Sequence, residues 1–358
     1  MDEPNSASRI TREKQLGGQR EGFLEQLTTG NAADSPQDPV ISPGEQNCPA
    51  CGCAERSVLF KGTDRLYRTT TKEFQIVECR RCRLIRLFPR PCPSELVSYY
   101  PPEYWFVPKD GAADRLEERY RRFVLRDHLR FVRRALEAAP PEGLVLDVGC
   151  GGGLFLSMLA EEGVPVTGLD FSLDAAKAAW SRGVPAVCAS LSHAPLAAGS
   201  CRLITMFHLL EHLYKPQSYV EAAYQLLRPA GRLIIQVPNA SSWQFLMLSE
   251  RWTGCDIPRH LTLFRTADLE GLLERCGFTV VRKKFFSLRD NPAGLASSLA
   301  AWLDPMARRV RNPRESGRAR LLKDLLYFGL VLACLPVALL EAACGAGSTV
   351  MIEARKQA

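Results

Sequence analysis

The sequence predicts an α/β domain in which helices cover both faces of a mostly parallel β-sheet. Short apolar strands alternate with helical stretches between residues 144 and 286, as in such folds. A glycine-rich turn, DVGCGGG at residues 147–153, follows the first of these strands and precedes a helix. At that edge of a parallel sheet, glycine lets a ligand approach the backbone. The strand candidates are VLDVG, PVTGLD, PAVCAS, LITMFH, RLIIQVP and FTVVRKKF.

Length and composition describe an ordinary globular chain with a large core. It has 358 residues, of which 46% are hydrophobic, which suits one large domain with a smaller companion. The net charge of +7 leaves nucleic acid and anionic membranes open as partners. Residues 1–15 carry charges where a signal peptide has an apolar core. We therefore expect a cytoplasmic protein whose 13 cysteines are reduced thiols or metal ligands.

The composition divides the chain into four segments. Residues 1–45 are polar and are expected to form a disordered tail. Residues 46–93 form a cysteine-bearing, strand-like module, and residues 94–113 a connector broken by prolines. The main domain, residues 114–358, begins with an amphipathic helix at 114–138, ended by two prolines. The expected inward face of this helix consists of Leu116, Tyr120, Phe123, Leu129, Val132 and Leu136.

Three glycines make the turn a candidate cofactor site. Gly149, Gly151 and Gly153 alternate with other residues behind Asp147. The alternative is a tight turn without a ligand. A dinucleotide-binding turn would need glycine at the position of Leu154, so a nicotinamide cofactor is disfavoured.

This motif resembles the first motif of class I S-adenosylmethionine-dependent methyltransferases. The resemblance covers roughly residues 115–285 and makes STVMIEARK, at 348–356, a seventh strand. It implies a Rossmann-like, seven-stranded sheet, to which the sequence adds a small N-terminal zinc ribbon and an apolar helical insertion before the last strand. Within the superfamily, the chain is similar to the type 11 and type 23 domains and to the ubiquinone-biosynthesis O-methyltransferases. The later matching segments are ITMFHLLEHL, LLRPAGRLIIQVPN and LLERCGFTVV.

The resemblance implies a set of residues around S-adenosylmethionine. Asp170, at the end of the second strand, would accept hydrogen bonds from the ribose hydroxyls. Ser190 stands where many relatives carry an acidic residue that binds the adenine amine. Cys150 is interpreted as a small apolar filler rather than a nucleophile. The expected cofactor-binding residues are Asp147, Gly149, Cys150, Gly151, Gly153, Asp170, Phe171, Ser190, Phe207 and His208.

Three of the five histidines lie in segments expected over the same crevice. They are His208, His212 and His260. Methyl transfer from a sulfonium needs alignment and, for an oxygen nucleophile, removal of a proton. Imidazole titrates near neutral pH, so we predict that these histidines are catalytic, as a base or as substrate-orienting groups. The alternative is that His208 and His212 stabilise the junction between sheet and helix, with Glu211 fixing a tautomer or capping a helix.

Two C-x-x-C pairs predict a structural zinc site. The pairs are separated by 27 residues, which leaves room for the strands of a zinc ribbon. Cys53 is an alternative to Cys51, whereas Cys92 is too distant, and a redox role is the competing interpretation. The surrounding segment resembles one found before methyltransferase domains of several bacterial families, some acting on sugars or lipid-linked intermediates. The expected zinc ligands are Cys48, Cys51, Cys79 and Cys82.

An insertion at residues 288–346 separates the sixth and seventh strands. It carries apolar stretches at 292–303 and 325–340, and between them residues 308–323 hold six arginines and one lysine against one glutamate. The uncharged run of 16 residues is interrupted by Pro336 and is shorter than the ~20 residues that cross a bilayer. We expect a helical hairpin dipping into an anionic leaflet, or a lid over the crevice. An extra helical layer or a dimer interface is the alternative.

Together these features predict methyl transfer, at oxygen, to a small-molecule, sugar or lipid-linked acceptor. The expected location is the cytoplasm, with peripheral contact at the inner face of the membrane through residues 292–340. One alternative is a noncatalytic binding protein that uses the nucleotide pocket or the zinc module for assembly. A nucleic-acid methyltransferase is disfavoured because MFHLLEH follows the fourth strand in place of Asn/Asp-Pro-Pro-Tyr/Phe.

Overall fold

The computed structural model of the protein describes residues 47–101, 112–312 and 314–357. The expected tail at 1–45 and residues 102–111 of the expected connector lie outside these residues. The strands are β1 (Arg56–Gly62), β2 (Phe74–Cys79), β3 (Ile85–Phe88), β4 (Leu144–Val148), β5 (Val166–Asp170), β6 (Ala186–Cys188), β7 (Cys201–Phe207), β8 (Leu227–Pro238), β9 (Thr262–Leu263), β10 (Phe278–Lys284) and β11 (Thr349–Lys356). The α-helices are α1 (Pro93–Ser98), α2 (Ala112–Glu137), α3 (Leu154–Ala160), α4 (Leu173–Ser181), α5 (Pro216–Leu226), α6 (Trp243–Leu248), α7 (Thr266–Arg275), α8 (Asn291–Leu299), α9 (Pro305–Arg311) and α10 (Gly317–Ala343).

The central sheet has seven strands in the order β10-β11-β8-β7-β4-β5-β6. Its neighbours pair in parallel except at β11, which is antiparallel to both β8 and β10. This confirms the predicted fold class, including the seventh strand near the C-terminus. The central strands are apolar on both faces because helices cover both sides, and Leu146 and Ile204 are fully buried.

The carboxyl ends of β4 and β7 mark a switch in strand order. After β4 the chain moves outward to β5 and β6, and then returns to the other side of β4 at β7. Loops that leave β4 and β7 therefore diverge and leave a crevice between them, which is where open parallel sheets bind ligands. The glycine turn follows β4, and His208 directly follows β7.

The cysteine module shares its sheet with the main domain. β1, β2 and β3 form an antiparallel sheet, and β9, from the loop after β8, pairs with β3 as a fourth strand. Phe74 and Ile76 of β2 belong to the same buried apolar cluster as Leu210 and Leu263. α1 begins at the last residue of the predicted module and continues into the segment that the sequence suggested was a connector. The module therefore folds against the main domain and is not a separate body on a linker.

The long helix α2 faces the core with a different set of residues than expected. Leu129 and Val132 are buried, as predicted, but Tyr120 and Phe123 are 44% and 54% exposed. Their places on the inward face are taken by Val124 and Leu125, among others. The prediction for Tyr120 and Phe123 was wrong because the first half of α2 runs beside the insertion instead of over the sheet. There Glu117 pairs with Arg309 of α9. The side chain of Leu116 lies outside the described part of the chain.

The insertion consists of α8, α9 and α10. α10 is 27 residues long and continues through Pro336, so the expected interruption at this proline was wrong. One face of α10 packs on α8 through a small cluster that includes Leu295, Val331 and Cys334. The other face is exposed, with 48% to 62% of each apolar side chain accessible. We call this the outer face of α10, and it consists of Leu321, Leu322, Leu325, Leu326, Phe328, Leu332, Val337, Leu339 and Leu340.

Candidate functional site

The glycine turn after β4 has three residues in the left-handed region. Gly149, Gly151 and Gly153 have φ angles of 79°, 52° and 71°. The amides of Gly149 and Cys150 donate to the carbonyl oxygen of Leu169 at 2.7 and 3.1 Å, which ties the turn to the end of β5. A Cβ atom added at Gly153 would lie 2.8 Å from the Cβ of Ala179, whereas one at Gly151 would meet nothing within 4 Å. Gly153 therefore serves helix packing, and Gly151 faces open space in the crevice.

Asp170 lies directly beside this open space. Its Oδ2 accepts a hydrogen bond from the amide of Gly151 at 2.8 Å, and its Oδ1 accepts one from the amide of Ser172 at 2.9 Å. Burial raises the pKa of Asp170 to about 6, although these amides oppose the shift. The carboxylate is thus positioned by backbone amides, and a carboxylate can accept more hydrogen bonds than these two.

Asp147 and Cys150 support the turn from behind. Asp147 is buried at the end of β4 and accepts a hydrogen bond from Thr205 Oγ1 at 2.6 Å. Burial raises its pKa to about 7. The side chain of Asp147 is therefore hydrogen-bonded to the neighbouring strand β7. Burial also raises the pKa of the Cys150 thiol, which fits an apolar filler.

The remaining cofactor candidates are buried or half-buried and have contacts of their own. The hydroxyl of Ser190 is buried and hydrogen-bonds with His193 Nδ1 at 2.7 Å, a partner that the sequence did not suggest. Phe171 packs against the main core with part of its surface exposed. Phe207 makes edge-to-face contacts with Phe155 and His128, with ring centroids 5.2 Å apart in each pair.

The three predicted histidines form two groups on either side of Glu211. His208 Nδ1 lies 3.3 Å from Glu211 Oε1, and its Nε2 lies 3.4 Å from Asp290 Oδ2. On the other side, the rings of His212 and His260 are in edge-to-face contact, with centroids 4.6 Å apart. One polar atom from each of Glu211, His212 and His260 lies within 4.8 Å of the others. The structure therefore brings the three histidines together around Glu211, and their common role at the crevice stays a prediction.

Charge distinguishes the two groups. Burial opposes a charge on His208, but the carboxylates of Asp290 and Glu211 outweigh it and raise the pKa of His208 to about 9. Burial and the adjacent His260 lower the pKa of His212 to about 4. At neutral pH, His208 is therefore an imidazolium and His212 a neutral imidazole. Of these two, His212 is the one able to accept a proton.

His212 and His260 are held by hydrogen bonds on their Nδ1 atoms. His212 Nδ1 lies 2.9 Å from the hydroxyl of Tyr100 and 3.2 Å from the carbonyl oxygen of Arg259. His260 Nδ1 lies 2.8 Å from the carbonyl oxygen of Gly254. A neutral ring that donates from Nδ1 to a carbonyl carries its lone pair on Nε2. In His212, this tautomer leaves Nε2 as the proton acceptor.

Comparison with known proteins agrees with this arrangement. A family profile described as "Methyltransferase domain" matches residues 118–283. That range contains the glycine turn, Asp170 and all three predicted histidines. The domain is a class I S-adenosylmethionine-dependent methyltransferase.

Named relatives show how far the match extends. The ubiquinone biosynthesis O-methyltransferase of Photorhabdus laumondii is 36% identical over 162 residues, 41% of this chain and 66% of the relative. That of Pectobacterium carotovorum is 32% identical over 124 residues, 32% of this chain and 52% of the relative. The chain thus spans about half to two thirds of these relatives. A methyltransferase structure from Archaeoglobus fulgidus is 20% identical, with a TM-score of 0.44. The alignment covers 69% of this chain and 100% of that one.

The four predicted cysteines converge at the edge of the methyltransferase domain. The Sγ atoms of Cys48 and Cys82 are 3.5 Å apart, as are those of Cys51 and Cys79, and all four lie within 4.8 Å of one another. Both loops turn in the same way. The amides of Gly52 and Arg83 donate back to the carbonyl oxygens of Cys48 and Cys79 at 2.8 and 3.0 Å, and both residues have positive φ.

The other two cysteines of this region lie outside the group. Cys53 Sγ points to the carbonyl oxygen of Glu55 at 3.9 Å, and Cys92 Sγ lies 3.2 Å from the hydroxyl of Ser94. The alternative in which Cys53 replaces Cys51 therefore has no geometric support.

Four residues of the methyltransferase site were missed by sequence reasoning. Tyr100 comes from the segment before α2, His128 from α2, Gln236 from β8 and Asp290 from the start of the insertion. They lie far apart in the sequence, and no spacing links them to the histidines after β7. Asp290 offered one clue, since it is an acidic residue directly before an apolar stretch that the minimal fold does not require.

Proposed function

We propose that the protein transfers the methyl group of S-adenosylmethionine to an oxygen atom of a small-molecule, sugar or lipid-linked acceptor. The observation that carries this proposal is the pairing of two features in one crevice. Gly151 and Asp170 offer open space and a carboxylate, and His212 offers a neutral imidazole near the end of β7. The names of the curated relatives, which are O-methyltransferases, support oxygen as the acceptor atom.

Each residue has a defined task in this reaction. S-adenosylmethionine supplies a methyl group already activated on sulfur, so the protein mainly aligns the acceptor and removes its proton. Asp170 would accept the ribose hydroxyls, in line with its position at the end of β5. His212 Nε2 would take the proton of the acceptor hydroxyl. His208, whose two ring nitrogens face the carboxylates of Glu211 and Asp290, would orient the acceptor through contact with its ring.

Calorimetric titration with S-adenosylhomocysteine tests the cofactor pocket first. We expect micromolar binding that is lost in Asp170→Ala. Transfer of a labelled methyl group to sugar, quinone and polyprenyl acceptors then tests catalysis. His212→Gln should lower kcat about 10²- to 10⁴-fold and leave the binding of S-adenosylhomocysteine unchanged. A folded protein that does not bind the product overturns the proposal. Binding without turnover of any acceptor would favour the noncatalytic binding protein.

We also propose that Cys48, Cys51, Cys79 and Cys82 hold a structural zinc ion. Four thiolates around a tetrahedral zinc at about 2.3 Å would place their sulfur atoms about 3.8 Å apart. The two shortest sulfur distances, 3.5 Å, are close to this value. Since β3 of this module pairs with β9 of the main domain, the metal would also hold the edge on which β9 lies.

Finally, we propose that the outer face of α10 rests on an anionic lipid surface, at the inner face of the cytoplasmic membrane. Among the described residues, α10 is the one helix with the length and composition to cross a bilayer. Both of its ends, however, are bound to neighbouring helices, the first to α9 and the last to α6. Arg308 pairs with Asp324, and Glu341 accepts hydrogen bonds from the amide and the Nε2 of Gln244 at 3.0 and 2.8 Å. These contacts favour a helix lying along the surface, with nearby arginines facing lipid phosphates.

Co-sedimentation with phosphatidylglycerol vesicles tests this contact. The double variant Leu322→Asp/Leu325→Asp should stay in solution, because it places two charges on an apolar face. Val58→Asp, at an apolar side chain of β1 that is 51% exposed, is the matched control and should bind as the wild type does. If the wild type does not bind vesicles but is a dimer, and the double variant is a monomer, the outer face of α10 is an interface between two copies.

A further inference from the structure

Asp290 reaches the crevice from the junction between β10 and the insertion. Its Oδ2 accepts hydrogen bonds from Ser287 Oγ and Gln236 Nε2, both at 2.6 Å, and its Oδ1 accepts one from Arg289 Nε at 2.7 Å. Its side chain is only 19% exposed. The carboxylate is therefore fixed from three sides by groups other than His208, and its position does not depend on that histidine.

The His208 ring lies between two carboxylates. Asp290 Oδ2 is 3.4 Å from Nε2, and Glu211 Oε1 is 3.3 Å from Nδ1. Gln236 Nε2 also lies 2.9 Å from His208 Nε2. Two carboxylates this close restrain the ring and favour its imidazolium form. The backbone of His208 is in the left-handed region, with φ 53°, a conformation that is strained for a non-glycine residue. Strain of this kind, retained at the end of a central strand, is typical of functional positions.

His128 bounds the same space from α2. It is fully buried, its Nε2 is 3.9 Å from Asp290 Oδ2, and within the described ranges neither ring nitrogen has a hydrogen-bond partner. Burial lowers its pKa to about 3, so it contributes no positive charge. Arg289 and His208 hold the pKa of Asp290 well below the usual range despite burial, and Lys284 also faces this carboxylate. Of these three cations, His208 is the one that lies at the end of β7.

We propose that Asp290 is a positioning residue for His208, so that the insertion supplies part of the acceptor site. The inference rests on the proposed methyl transfer. It gives the insertion a second role besides surface contact, because α8 begins one residue after Asp290. Any displacement of α8 and α10 would move this carboxylate relative to the His208 ring. The alignment of the acceptor is therefore linked to the placement of the insertion.

Asp290→Asn and Asp127→Asn form a matched pair for the test. Asp127 holds the same loop, through Lys284 at 2.6 Å and the amide of Leu288 at 3.3 Å, but no contact joins it to His208. We would record histidine side-chain ¹H–¹⁵N spectra of both variants and the wild type at pH 7.5, with the His208 signals assigned from His208→Gln. In Asp290→Asn, His208 should lose one of its two ring protons. In Asp127→Asn, its signals should match those of the wild type.

Kinetics provide the second readout. With any acceptor that the wild type methylates, Asp290→Asn should lower kcat tenfold or more, with the dissociation constant of S-adenosylhomocysteine changed less than twofold, and Asp290→Glu should restore part of the rate. The inference is overturned if the His208 spectrum of Asp290→Asn equals that of Asp127→Asn. The spectra test the positioning role of Asp290 even if the protein methylates no acceptor. Failure of the proposed function, which would be seen in the kinetics, is therefore distinguished from failure of this inference.

Discussion

Adding one methyl group at either of two neighbouring glycines should separate ligand binding from folding. Gly151→Ala places a Cβ in open space, and Gly153→Ala places it 2.8 Å from the Cβ and 3.1 Å from the Cα of Ala179. Both residues have positive φ, which costs alanine about 1–2 kcal/mol. Only Gly153→Ala adds overpacking, about 1–3 kcal/mol, because α4 cannot move without shifting its backbone. We expect losses of unfolding free energy of about 1–2 kcal/mol for Gly151→Ala and about 2–5 kcal/mol for Gly153→Ala.

Urea unfolding followed by tryptophan fluorescence measures these losses, and calorimetry measures the binding of S-adenosylhomocysteine. Gly151→Ala should stay folded and bind the ligand at least tenfold more weakly, since its methyl group occupies the space in which a ligand approaches the turn. Equal stability of the two variants would refute the packing role of Gly153. Wild-type affinity in a folded Gly151→Ala would show that the ligand does not lie against this turn.

Three further outcomes follow from the structure. The affinity for S-adenosylhomocysteine should fall as the pH drops through about 6, where Asp170 becomes protonated, and titrations from pH 5 to 8 should show no such step in Asp170→Asn. Arg259→Met should lower the free energy of unfolding in urea by about 3–5 kcal/mol, because the buried Asp64 carboxylate, 2.9 Å from the guanidinium, would lose its counterion. A loss below about 1 kcal/mol would contradict this. Metal analysis should find zinc in Cys53→Ser but little in Cys79→Ser. If both variants lose the same amount of zinc, Cys53 is a zinc ligand.

Arg259 illustrates how the two parts of the molecule depend on each other. Its guanidinium, fully buried, donates to Asp64 of the cysteine module and to Asp256 of the loop after β8. The next residue is His260, and the carbonyl oxygen of Arg259 accepts from His212. A change in the cysteine module can therefore reach the histidines of the crevice through a single buried ion pair. That offers a physical reason why a methyltransferase domain would keep such a module.

The local patterns of the sequence predicted those features that depend on neighbours along the chain. Alternating apolar strands and helices predicted the sheet, because burial on both faces demands apolar strands. The spacing of the two C-x-x-C pairs predicted which four thiols converge, because each pair forms one tight turn. The glycine turn indicated a ligand crevice because it is also a local feature. Its backbone has positive φ at three positions, which favours glycine there.

The tertiary structure alone decided which groups face one another across the crevice. It separated His208, charged between two carboxylates, from His212, kept neutral by burial, although both belong to one short segment. It also brought Asp290 to β7 and left the outer face of α10 uncovered. Charge states and pairings of this kind depend on distances between residues tens to hundreds of positions apart. A sequence determines such distances only through the complete fold.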